Sequence, residues 1–130
     1  VAKQKKKQPR KIRKVIGENG VVHVTASFNN TIITFTDTHG NTIAWSSGGC
    51  IGFSGSKKST PYAAQLAAKE AAEKAMEMGL RNVEAWTQGP GSGKEAAVRA
   101  IGATGMRVTR VKDMSPVPFG GCRGKKRRRV

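Results

Sequence analysis

Acidic residues are scarce: eight Asp and Glu stand against 24 Lys and Arg in 130 residues, a formal net charge of +16. A chain so unbalanced repels itself unless a polyanion supplies counter-charge, and nucleic acid is the commonest source. Aromatic residues make up only 5 %, so base-stacking platforms are not expected to be the main mode of recognition. The two cysteines, Cys50 and Cys122, have no CxxC partner and no neighbouring His. A zinc site would need about four N or S ligands at short spacing. No metal and no other cofactor is therefore expected, and incidental, reduced thiols agree with an intracellular compartment. No apolar run approaches the ~20 residues of a membrane span, and there is no secretory h-region. Val1 is read as following a removed initiator Met. The cations lie on no amphipathic helix and beside no acyl signal, so a membrane surface is not the expected partner.

The charge that is present sits at the two ends. Residues 1–14 hold eight cations and no acid, and residues 119–130 hold six and no acid. Between them ten Lys and Arg face all eight acids, close to balance. The expected organisation is a basic N-terminal arm over 1–14, an α/β body over 15–115 and a basic tail over 116–130. Lys5, Lys6, Lys7, Arg10, Lys11, Arg13 and Lys14 of the arm are candidate phosphate contacts. Arg123, Lys125, Lys126, Arg127, Arg128 and Arg129 of the tail are the others.

Within the body, period-two alternation over Val21–Phe28 predicts a strand, with Val22, Val24, Ala26 and Phe28 on one face. Asn29-Asn30 reads as a tight hairpin turn, since Asn tolerates positive φ. Thr31–Thr36 and Thr42–Ser46 read as the second and third strands of an antiparallel meander. Residues 46–59 read as a long, flexible Gly/Ser loop. Thr60 then caps a helix that starts at Pro61. Its alanines 64, 67, 68, 71 and 75, with Met78, form one apolar stripe, and Gly79 supplies the stop. Asn82–Thr87 is a fourth strand. Ser92-Gly93-Lys94-Glu95 reads as a capping box opening a second helix, which Gly105 ends, and Arg107–Lys112 is a fifth strand. Met114–Pro118 starts the tail. Right-handed crossovers then favour a single three-layer α/β domain. Its five-stranded mixed sheet has order 3-2-1-4-5 with strand two antiparallel, a ribonuclease H-like topology.

Two loops carry the chemistry. Gly89, Gly91, Ser92, Gly93 and Lys94 imitate a phosphate loop, but a Walker A pattern needs Gly where Gln88 stands and Ser or Thr where Glu95 stands. Nucleotide hydrolysis is not expected. A glycine-rich turn at a helix start, with Lys94 beside it, suits one backbone phosphate. Gly55, Ser56, Lys57, Lys58, Ser59 and Thr60 repeat the arrangement before the first helix, where small residues admit a polyanion and hydroxyls and lysines donate to it. Following strands three and four, both loops belong at the same end of the sheet. A nuclease of ribonuclease H-like fold would need converging carboxylates, yet strand one offers His23, Thr25 and Ser27, and strand four only Glu84. A DNA-binding architectural protein is the other rival.

Several segments together resemble one family: Ala26-Ser27-Phe28-Asn29-Asn30-Thr31-Ile32, Trp45-Ser46-Ser47 with Gly52-Phe53, Lys58-Ser59-Thr60-Pro61-Tyr62-Ala63-Ala64-Gln65, Gly89-Pro90-Gly91 and Pro116-Val117-Pro118. They are similar to the bacterial-type family of ribosomal protein eleven of the small subunit. The resemblance implies no enzyme but a structural protein on small-subunit rRNA. It implies a place on the platform, bridging rRNA helices beside the mRNA exit path and the Shine-Dalgarno cleft. Small-subunit proteins seven and eighteen would be neighbours; no membrane and no homo-oligomer are implied. The place is a ribosome, cytoplasmic or organellar. By matching motif, Asn29, Asn30, the loop from Phe53 to Thr60 and the loop from Gly89 to Lys94 would contact rRNA, with the tail threading between RNA strands. Two positions depart from the family pattern. Ser54 stands where a basic residue is usual, and Phe119-Gly120-Gly121-Cys122-Arg123-Gly124 replaces His-Asn-Gly-Cys-Arg-Pro.

Overall fold

The computed structural model describes residues 17–130; the basic arm at 1–14 lies outside the described residues. Eight elements succeed one another in chain order: β1 Asn19–Ala26, β2 Thr31–Asp37, β3 Thr42–Ser47, a 3-10 turn Gly55–Ser59, α1 Pro61–Glu77, β4 Asn82–Gln88, α2 Gly93–Ala103 and β5 Arg107–Asp113. The strands form one sheet in the order β3-β2-β1-β4-β5. β2 is antiparallel to both β1 and β3, whereas β4 is parallel to β1 and to β5. The expected order and strand directions are therefore present.

The three-layer architecture is not. Both crossovers, β3 to β4 and β4 to β5, step the same way across the sheet. Two connections of one hand stepping one way must lie on one face. α1 and α2 accordingly pack against each other and against the same side. Val22, Val24, Ile33, Phe35, Ala44, Val83 and Ala85 meet alanines 64, 67, 68, 71, 72 and 75 of α1 and Ala97 and Ile101 of α2. Alanine lets the helix backbone approach the sheet closely, so the large core side chains are few: Phe35, Ile33, Leu80 and Ile101 lead. Each stabilises the fold by roughly 1.5–3 kcal/mol.

The opposite face is uncovered among the described residues. Its middle row runs Trp45, Thr34, His23, Trp86, Lys112 across all five strands. His23 meets Trp86 edge-on at 5.2 Å, and the Lys112 ammonium lies 5.5 Å from the Trp86 ring centre. Partial burial pushes the His23 pKa down. At the sheet's edge, exposed β5 carries Arg107, Arg110 and Lys112, charges that discourage edge-to-edge pairing.

Helix ends obey the local chemistry in part. The Thr60 side chain accepts the Ala63 N–H at 3.3 Å and Pro61 occupies the first helical position. Gly79 and Gly105 take positive φ after the two helices. The capping box at α2 does not form. Ser92 is already helical in its backbone and makes no side-chain cap bond, because the preceding loop is pulled down onto β1. Entry and exit of the chain lie at opposite ends of the sheet. The described chain enters at the amino end of β1, where Glu18 accepts the Arg81 and Asn82 amides, and leaves at the carboxyl end of β5.

Candidate nucleic-acid interface

The carboxyl ends of β1, β3, β4 and β5 share one end of the sheet, so four segments converge there: the β1–β2 turn, the β3–α1 loop, the β4–α2 loop and the root of the tail. The turn sits at the centre, because β2 and β1 lie between β3 and β4.

That turn is built differently from the expected hairpin. It spans Ser27–Asn30 between the strands, and no non-glycine described residue has positive φ. Ser27 closes it instead. Its amide donates to the Asn30 carbonyl at 2.8 Å, its hydroxyl donates there too, and it accepts the Asn30 amide at 3.1 Å. Asn30 Oδ1 accepts the Thr31 amide at 2.8 Å. Alternation therefore stops at Ala26, and Phe28, expected on the core face, stands 75 % exposed. Asn29 is exposed and Asn30 half-buried.

On one flank lies the β3–α1 loop, which is ordered rather than a flexible linker. The Gly48 amide donates to the Thr31 carbonyl and the Phe53 amide to the Gly48 carbonyl, both at 3.2 Å. A side chain at Gly48 would lie 2.7 Å from the Lys58 carbonyl oxygen, so only glycine lets the lysine segment fold back over the strand end. Gly55, Ser56 and Lys57 of the 3-10 turn are exposed, and Lys58 and Ser59, with Phe53 and Thr60 on either side of the turn, are half-buried. Ser59 and Thr60 hydroxyls donate to Ser56 and Lys57 carbonyls at 2.9 and 2.8 Å. Phe53 packs edge-on against Tyr62 at 6.0 Å, and Tyr62 is 62 % exposed.

The β4–α2 loop forms the other flank, and its glycines turn inward. The Gly91 amide donates to the Ala26 carbonyl at 2.9 Å. A side chain at Gly91 would lie 2.6 Å from the Ser27 carbonyl oxygen, and one at Gly93 would lie 2.6 Å from Thr31 Oγ1. Gly91 and Gly93 are buried, so these glycines admit the protein's own β1–β2 turn. Ser92 is exposed, and half-buried Lys94 reaches Asp113 at a loose 3.9 Å. The Asp113 carboxyl is held below its ordinary value chiefly by the Ser115 backbone N–H; Lys94 contributes least. At 3.9 Å the pair is too long for a hydrogen bond, so the Lys94 ammonium keeps its donors for an incoming anion. The tail is rooted here as well. The Met114 amide donates to the Thr87 carbonyl at 2.8 Å and the Gly89 amide to the Ser115 hydroxyl at 3.2 Å. Beyond it Arg123 and Lys125–Arg129 are exposed.

Thus the structure gathers the three sequence-predicted loop segments and the tail root at one end. Lys5, Lys6, Lys7, Arg10, Lys11, Arg13 and Lys14 lie outside the described residues. Sequence reasoning missed Phe28, Tyr62, Asp113 and Ser115 as members of this end. Ser27 ahead of Asn29-Asn30 was the available signal for a side-chain-closed turn. Among the described residues no group of three or more His, Cys, Asp or Glu could hold a metal ion.

The profile of the family described as ribosomal protein S11 matches residues 20–129. The chain belongs to the ribosomal protein S11 family. It is also 55 % identical, over all 130 residues and the full length of both chains, to a protein of Aquifex aeolicus (strain VF5) called small ribosomal subunit protein uS11. S11 proteins are ribosomal proteins rather than enzymes, and the ribosome in the cytoplasm is their place of work. The likeness drawn from scattered segments thus extends along nearly the whole S11 chain. No helix among the described residues is long and apolar enough to cross a membrane.

Proposed function

We propose that this chain is a structural protein of the small ribosomal subunit that grips rRNA with the loop end of its sheet and with its two basic extensions. The observation that carries the reading is the convergence of Asn29, Asn30, Lys57, Lys58, Ser92, Lys94 and the tail root on one end of a nearly charge-balanced body. Phosphate contacts of this kind position RNA without reading its sequence. The arm at 1–14 and the tail at 116–130 supply the cations that meet further RNA phosphates. The sheet has a ribonuclease H-like strand order, here used as a scaffold. Within the subunit the reading places the chain on the platform. There it bridges rRNA helices beside the mRNA exit and Shine-Dalgarno cleft, with proteins seven and eighteen as neighbours.

The test is filter binding of the full chain to small-subunit rRNA across a salt series. Affinity falls steeply with salt, and deleting Lys125–Arg129 lowers the log–log slope by roughly 3–4 units if all five cations sit on single-stranded phosphates. Thermal unfolding of the body is unchanged by the deletion. A flat salt response refutes the reading. Equal competition by duplex DNA and by structured rRNA would favour a general architectural role instead.

A further inference from the structure

The molecule has few aromatic rings, yet it keeps most of them out of its core. Phe35 is the one fully buried aromatic side chain among the described residues, whereas Phe28, Trp45, Tyr62 and Phe119 are all exposed. Phe28 is the one held most firmly in an informative place. Strand alternation would have buried it, but β1 ends at Ala26 and the chain turns the ring outward. The Ser27 hydrogen bonds close the turn beneath it, and Gly91 packs under the Ser27 carbonyl. The ring is therefore displayed on a rigid footing that cannot fold back into the core.

Its surroundings name its ligand. Lys57 and Lys58 lie on the β3 side of the turn and Lys94 on the β4 side, three strand spacings apart, about 14 Å. Two acids lie at this end: Asp113 is engaged with Ser115 and Lys94, and Glu95 stands in the first turn of α2, so the cations of the two loops and the tail still outnumber them. An apolar ring between two cationic loops suits a nucleotide strand, whose phosphates meet the lysines while an unstacked base covers the ring.

We propose that Phe28 is a base-stacking residue, holding one splayed-out RNA base between the two lysine loops. The proposal rests on the rRNA-binding reading and deepens it. Stacking does not release counterions, whereas phosphate contacts do, and this separates the two experimentally. The full-length chain and its Phe28→Ala, Phe28→Leu and Phe28→Trp variants are titrated with a small-subunit rRNA transcript over a salt series. Phe28→Ala and Phe28→Leu weaken binding by about 5- to 150-fold, the worth of one stacked base, with the log–log salt slope unchanged. Phe28→Trp keeps wild-type affinity. The proposal is overturned if Phe28→Leu binds like wild type, which would make the ring a mere apolar filler, or if the slope changes, which would mean the loops had lost phosphates. Unchanged rRNA affinity in Phe28→Ala also overturns it and assigns the ring to a protein neighbour. If the wild-type chain ignores the transcript, the underlying RNA reading fails, a result distinct from binding that is indifferent to position 28.

Discussion

Thr31 joins every part of the loop end, and one of its atoms is left without a partner. Its amide donates to Asn30 Oδ1, its carbonyl accepts from Gly48, and its side chain lies against Gly93. The residue is 0 % exposed, yet among the described residues its Oγ1 is the one buried side-chain polar atom with no hydrogen bond. An orphaned buried hydroxyl costs about 1–3 kcal/mol in lost hydration. Thr31→Val removes that cost, keeps the β-branched shape that suits the strand, and leaves both backbone bonds in place. The added width of a methyl against Gly93 and Ala64 takes back part of the gain. The net expectation is about 1–2 kcal/mol of added stability. For a body of this size that raises Tm by roughly 4 °C or more. Thr31→Ser is the control: it keeps the hydroxyl, loses the methyl and melts lower. The assay is calorimetric unfolding of the full chain at fixed salt, with rRNA affinity measured in parallel and expected to stay constant. A Thr31→Val chain that melts below wild type refutes the reasoning and shows that the hydroxyl has a buried partner.

The same geometry sets two other outcomes. Gly89 has φ +97 and its Cβ would collide with the Ala26 carbonyl oxygen, so Gly89→Ala should lose about 2–4 kcal/mol; a melt like wild type would show that the glycine serves something other than loop packing. Glu70 is held below its ordinary pKa of 4.5 first by Lys74 and then by the Ser46 hydroxyl, which it meets at 2.8 Å. A depressed carboxylate adds stability that is full above its unfolded value and lost as pH falls through the folded one. Glu70→Gln should therefore lower stability near neutrality and flatten the decline below pH 4.5; an identical acid limb in the two proteins argues against that bond.

Much of this was legible in the chain because local rules and tertiary needs agreed. Period-two alternation gave β1, the runs between turn and loop signals gave β2 to β5, Thr60-Pro61 gave the start of α1, and short connections with one crossover hand gave the strand order. Where they disagreed, packing won. Phe28 obeys the alternation of β1 by residue type but falls two positions past Ala26, the strand's last residue. The capping pattern at Ser92–Glu95 is present, but contact with Ala26 and Ser27 draws the loop into a helical backbone before the cap can form. The glycines at 89, 91 and 93 resemble a ligand-facing loop because close approach to any carbonyl, one's own or a guest's, demands the same residue. Helix placement on a single face was readable from the direction of the two crossovers, and the three-layer expectation overlooked it.

The chain comes in at the amino end of the sheet and goes out at the carboxyl end, so its covalent path traverses the body once. Eight residues of β1 at about 3.3 Å each separate the two exits by roughly 25 Å. On the RNA-binding reading proposed above, nucleic acid held at both exits cannot be drawn together, and the body serves as a strut that sets the minimum gap between the two stretches.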